Sequence, residues 1–363
     1  MTPEKLILEE LKNSGKPMIE WKGPMAIPND AFGMRELRNA SNGAVDSSTL
    51  GYDYAIQTTT LIRAKTVAQK FYEIPFASYI PVIPGEAAWM ESIKTNVVYS
   101  IGGSFDQGIV INGANEQKFA QLNTGTTAVS QSVALWAKSY NYNTFEVNKA
   151  LALNNWDVIS SKMYAMKKEW DLGIQKTSFL GLRKDLTNFP GLLSQSSVNV
   201  NLTAITKNIS AFSYTEFQTF VSVIMAAYFS NSNSTALPTH FAIPQDDYLG
   251  LSVFINPQYP TADAIMLTVL EKAFKLFCGP SFTIYGVAYA QIANNAGYWD
   301  PSGTQRYCLY RKDPDTFRMD LPMDFILAAP VPTGSVTFEG VGYGQFTGVV
   351  VFRPAEFLYF DHT

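Results

Sequence analysis

Residues 143–193 read NTFEVNKALALNNWDVISSKMYAMKKEWDLGIQKTSFLGLRKDLTNFPGLL, and the fold turns on this stretch. Trp156, Ile159, Met163, Met166, Trp170 and Ile174 recur at spacings of three and four, which puts them on one helix face. Asn143 and Glu146 have the spacing of a capping box at the start. From Thr144 to about Ser178 there is no proline, and the one glycine is Gly173. The pattern predicts a single helix of roughly 50 Å. Lys162, Lys167, Lys168 and Glu169 fall off the stripe and mark the solvent side. So heavy a stripe has to lie across something. Phe179-Leu180-Gly181 and Phe189-Pro190-Gly191-Leu192-Leu193 then bracket a charged turn, which predicts a short loop punctuated by glycine and proline.

Outward from this centre, the composition bounds the function. The chain has 363 residues, enough for two or three domains. Its net charge is −4, with 16% charged residues, so it has no basic field for nucleic acid. Apolar residues reach 47% and aromatics 13%, which excludes disorder and hints at apolar surface covered by other chains. Cys278 and Cys308 follow no metal or redox spacing and read as core thiols, with a disulfide left open. Residues 1–15 read as a charged amphipathic helix rather than a signal peptide, and no apolar run is long enough to span a membrane.

Lys16 to Gly51 is aperiodic and rich in Gly, Pro and Asn, which predicts an arm ordered by something outside itself. Val97–Ile101, Gly108–Gly113 and the alternation over Thr127–Ala137 predict a long β-ribbon, with Ser139–Asn143 leading into the helix. Such a ribbon is marginal alone in water. From Tyr214 to Arg311 helices and strands alternate. The helices are predicted from Ser213 or Tyr214 to about Asn231, and over Ala262–Cys278 behind a Thr261 cap. The second carries a stripe of Ile265, Val269, Ala273 and Leu276. The strands are Thr239–Ile243, Ser281–Ile292 and Arg306–Tyr310, so an α/β subdomain is expected. Gly340, Gly342, Gly344 and Gly348 read as sheet turns, with strands over Val349–Val351 and Glu356–Phe360 closing the chain.

No catalytic, cofactor-binding or metal-ligating motif is present. With only His240 and His362, a histidine triad or zinc site is poor, and His240 reads as a core histidine. Carboxylates are the remaining route to catalysis. Asp313, Asp315, Asp320 and Asp324 lie close in sequence but do not follow the Ca²⁺-loop pattern, and read as solvated turn residues or partners of Arg306, Arg311, Arg318 and Lys312.

The order of parts resembles the major capsid proteins of tailed phages, Caudoviricetes, with their Hong Kong 97-like fold. The local matches run from Trp170-Asp171 through Phe179-Leu180-Gly181 to Phe189-Pro190-Gly191-Leu192-Leu193, and over Gly348–Pro354. The loop departs from the family where Ser194 stands and an Asn often follows. The resemblance implies an α+β chain with an N-terminal arm (1–50), an extended E-loop ribbon (86–139), a peripheral domain with the spine helix (51–85, 140–210 and 331–363) and an α/β axial domain (211–330). It implies a non-enzymatic virion protein that self-assembles as pentamers and hexamers into an icosahedral shell around double-stranded DNA. No cofactor is expected. Assembly would take place in the host bacterial cytoplasm with a separate scaffolding protein, a portal and decoration proteins. The DNA would be held without sequence-specific binding, and no membrane would be involved. One rival shares the plan, an encapsulin-like cargo shell, and a further possibility is a tail or baseplate structural protein that forms tubes or rings. The rival from another class is a carbohydrate-active enzyme using two of Asp246, Asp247, Asp320 and Asp324.

Overall fold

A computed structural model describes residues 18–19, 27–28, 70–101, 123–154, 157–255 and 264–362. The N-terminal helix and most of the arm, the Gly108–Gly113 strand, Trp156 and Thr261 lie outside the described residues. The chain divides into two units. Met1–Lys70 with Leu153–Trp156 form one, in which β1 (Met18–Ile19) and β2 (Ile27–Pro28) pair antiparallel. Phe71–Ala152 with Asp157–Thr363 form the other, an α+β body.

The predicted long helix is two helices. α1 spans Thr144–Asn154 and α2 spans Val158–Leu180. The second helix has its own start. Asp157 stays extended and its carboxylate accepts from Ile159 N (3.0 Å) and Ser160 N (3.1 Å), satisfying donors that a continuous helix would have paired internally. The helix is thus about 35 Å long rather than 50 Å. Its buried face holds Met166, Trp170 and Ile174, as the spacing predicts.

α2 lies across a sheet ordered β11 (Met323–Leu327), β13 (Thr337–Thr347), β5 (Asn123–Asn143), β4 (Ser92–Ile101), with β12 (Val331–Pro332) paired to β13. Residues 139–143, expected as a lead into the helix, are the end of β5 and pair with β13 residues 337–341. Gly340, Gly342 and Gly344 are likewise strand and not turns, while Gly348 separates β13 from β14. Gly342 and Gly344 lie under α2, where a Cβ on Gly344 would sit 2.6 Å from the Trp170 ring. Absent side chains let Trp170 pack on Trp136 (5.5 Å) and Phe346 (6.0 Å).

A second sheet runs β6 (Val200–Asn201), β15 (Phe357–His362), β9 (Gln305–Tyr310), β7 (His240–Pro244), β8 (Thr283–Val287). Its central strands β15, β9 and β7 are mostly apolar and buried because both faces are covered. Ala242, Cys308, Tyr310, Phe357 and Tyr359 face the α2 core. Phe241, Ile243, Tyr307, Leu309, Leu358 and Phe360 face a core built with α3 (Tyr214–Ser232) and α5 (Met266–Cys278). Between β7 and α5 lies α4 (Gln245–Gly250). α3 starts with a capping box, Ser213 with Glu216. In α5 the buried stripe is Met266, Leu270 and Phe274. The predicted stripe was one position off: Leu276 is 86% exposed. Ser281–Ile292 is also not one strand, since β8 ends at Val287 and a 3₁₀ turn and α6 (Ile292–Asn295) follow. A third sheet orders β14 (Val349–Val351), β10 (Phe317–Leu321), β3 (Val82–Pro84).

The 181–193 loop joins these layers. Leu192 N and Leu193 N bond back to Ser178 O and Phe179 O, each at 2.8 Å. Gly181 turns at φ +84°, where a Cβ would meet Phe189 O at 2.6 Å. Ser194 Oγ accepts from Gly191 N and donates to Leu180 O, both at 2.8 Å, and so pins the loop to the helix end. Arg306 Nη1 donates to Leu193 O at 2.6 Å while Nε and Nη2 grip Asp361. Tyr359 OH donates to Leu192 O at 2.5 Å.

Candidate assembly surfaces

The carboxylates named for an enzyme are not brought together. Asp247 is buried and occupied: Ile209 N (3.0 Å), Ser210 Oγ (2.7 Å) and Tyr307 OH all donate to it. Burial first, then that carboxylate, pushes the Tyr307 hydroxyl far above its ordinary range and keeps it a donor. Asp320 is buried beside Arg318 (3.3 Å) on another sheet. Asp246 and Asp324 are exposed. Among the described residues no group of three or more His, Cys, Asp or Glu is placed to hold a metal. Cys278 and Cys308 are both free thiols. Burial pushes the Cys278 thiol up to about 11 and Cys308 further, so neither is a ready nucleophile. His240 is half-buried at the start of β7, bonded to Thr239 Oγ1 (2.9 Å) and stacked on Tyr310.

What the body offers instead is apolar surface on protruding or strained segments. β4 and β5 pair over residues 92–101 and 123–132, beyond the point where β13 stops at Thr347 opposite Val133. Successive strand residues point to opposite faces. Val98 is 66% and Tyr99 47% exposed, so both faces of this ribbon present apolar side chains to solvent. At the foot, the turn after β3 holds Ala87 and Trp89 at φ 63° and 65°. Left-handed backbone at non-glycine residues costs of order 1–3 kcal/mol each and is kept where the surroundings over-determine it. Here Trp89 N donates to Gln345 Oε1 at 2.7 Å. The result is an indole that stays 64% exposed, next to Met90 at 58%. Leu135, paired with Gln345 on the sheet face away from α2, is exposed as well. On α1, Phe145 is exposed, and Leu276 and Phe277 form an apolar knob at the end of α5. Sequence periodicity missed this knob because it assigned Leu276 to the core. Isolated exposed apolar residues are ordinary, but clusters of large ones mark contact sites.

A family profile described as major capsid protein matches residues 107–362. The chain belongs to that family. As a major capsid protein it is a structural, non-enzymatic subunit of a self-assembling shell, and the exposed apolar clusters are what such a subunit needs. Solved capsids share its Hong Kong 97-like fold. The capsid of Myoviridae phage XM1 is 14% identical, with TM-score 0.69 over 85% of this chain and 98% of that one. A capsid of the native GTA particle is 12% identical, with TM-score 0.54 over 88% and 100%. A solved chain of Microbacterium phage Oxtober96 is 9% identical, with TM-score 0.54 over 86% of this chain and 98% of that one. No curated protein matches the sequence. Among the described residues, no helix is long and apolar enough to cross a membrane.

Proposed function

We propose that the chain assembles as pentamers and hexamers of an icosahedral phage shell that encloses double-stranded DNA. The observation that supports this most is the family match taken with the free ribbon, whose two faces both carry exposed apolar groups. Above the ribbon's foot, Val98 and Tyr99 leave both faces open among the described residues, so a neighbouring subunit supplies the cover. In this reading residues 1–50 are an arm and 86–139 the extended loop. Residues 211–330 build the axial domain, and 51–85, 140–210 and 331–363 the peripheral domain. The last strand, β15, pairs with β9 and joins the two through one sheet. A net charge of −4 suits DNA held without sequence-specific contact. A scaffolding protein, a portal and decoration proteins are the further partners of this reading, with assembly in the bacterial cytoplasm and residence in the virion. Electron microscopy of particles from cells expressing the chain, followed by nuclease and mass analysis of their contents, tests it. Closed shells that package DNA when the phage machinery is present support it. A stable monomer, tubes, or shells filled with a cargo enzyme would contradict it.

A further inference from the structure

Four polar side-chain atoms at the foot of the ribbon are buried without a hydrogen-bond partner: Gln131 Oε1, Gln131 Nε2, Arg318 Nε and Asp320 Oδ2. The strand register gathers them. Gln131 pairs with Ile93 and is one step from the Thr95–Val129 pair, so it shares a ribbon face with Thr95. Arg318 Nη2 donates to Thr95 Oγ1 at 2.9 Å. Arg318 Nε lies 3.3 Å from Asp320 Oδ1, an ion pair without hydrogen-bond geometry. A second tether brings Asp320 to the same face. Its N–H donates to Thr347 Oγ1 at 3.0 Å, and Thr347 pairs with Val133, the next residue of that face after Gln131. Gln131 is 3% and Asp320 2% exposed. Buried polar groups in native proteins find partners in all but a few instances, often an ordered water.

We infer that these atoms enclose an ordered-water site that bridges Gln131, Arg318 and Asp320 and fixes the ribbon to β10. The chemistry of the set selects the occupant. Arg318 Nε and Gln131 Nε2 are donors, while Asp320 Oδ2 and Gln131 Oε1 are acceptors. A cation would face the guanidinium, and an anion would face the carboxylate. Water donates and accepts, so it serves all four atoms. A side chain from another subunit does not reach atoms that have no solvent exposure. Burial, with a smaller contribution from Glu86, raises the Asp320 carboxyl above its ordinary range despite Arg318, in keeping with a carboxylate that direct contacts leave under-compensated.

The test is Gln131→Met in the full-length chain, which keeps the side-chain length and removes both polar atoms. In a dry interior, losing an unpartnered amide is neutral or stabilising. With a water bridge it breaks the link and leaves Arg318 Nε and Asp320 Oδ2 without the hydrogen bonds that the water supplied. The expected result is a fall in Tm of roughly 2–4 °C, with faster amide exchange over residues 92–95 and 129–133. An unchanged or higher Tm would overturn the site. A double-mutant cycle with Asp320→Asn should be non-additive although the two side chains share no direct bond, and additivity counts against the bridge. Should the variants not fold, a high-resolution density map of the wild-type chain decides: a peak within hydrogen-bond distance of both Gln131 and Asp320 supports the site, and an empty space between them refutes it.

Discussion

The 181–193 loop and the β4–β5 ribbon are stabilised in opposite ways. Loop residues 189, 192 and 193 are buried, and the loop's carbonyls are taken by Arg306, Tyr359, Gln195 and Val349 N. Above the foot where Arg318 holds Thr95 and Gln131 is buried, the ribbon has its ladder and little else, with Val98 and Tyr99 in solvent. The chain completes the first from its own residues and leaves the second for a neighbour. A shell subunit needs both: a body that folds before assembly, and segments whose burial rewards assembly.

Substitutions break or sharpen that contrast. The largest effect on folding is expected at Arg306, whose ion pair with Asp361 is 5% and 9% exposed. Arg306→Ala leaves Asp361 buried without its partner, and should cost about 3–5 kcal/mol in urea unfolding. A loss near zero would show that the loop is not held as described. Ser194→Ala should cost about 1–3 kcal/mol, because Gly191 N and Leu180 O both lose their partner. Next comes pH. Burial, then Lys312, lowers the His240 pKa from 6.5 to about 4. The unfolded chain therefore binds the proton first, and stability should fall as pH drops from about 6.5 towards 4. His240→Phe should flatten that part of the pH profile, and an unaltered slope would remove His240 as its cause. The smallest folding effects belong to the exposed side chains of the ribbon and of the turn after β3. Val98→Ser and Trp89→Ser should change monomer stability by no more than about 0.5 kcal/mol, yet reduce shell yield in size-exclusion chromatography. Equal shell yield would make these side chains idle surface.

Much of the body was legible because local pattern and tertiary role agreed. The Met166–Trp170–Ile174 stripe, the loop after it and the α3 span are of this kind. The helix break was written in Asp157 and Ser160, a start signal, but the apolar spacing ran on through Trp156 and masked it. In α5 two apolar stripes compete one position apart, and only the sheet beneath selects Met266, Leu270 and Phe274. The glycines of β13 look like turns until Trp170 is placed over them, a contact across more than 170 positions. The pairing of β15 with β9 and the unpartnered groups around Gln131 are likewise long-range facts with no local signature. Among the proposed carboxylates, sequence carried no sign of which were exposed, because exposure of Asp246 but not Asp247 is set by the elements packed on α4.

Limited proteolysis with mass analysis, on the unassembled chain and on assembled shells, tests the central claim most directly. The account predicts cleavage within residues 92–132 of the free subunit, protection of the same residues in shells, and protection of 178–195 in both. A ribbon equally resistant in the free subunit would contradict it, since its cover would then come from the chain itself.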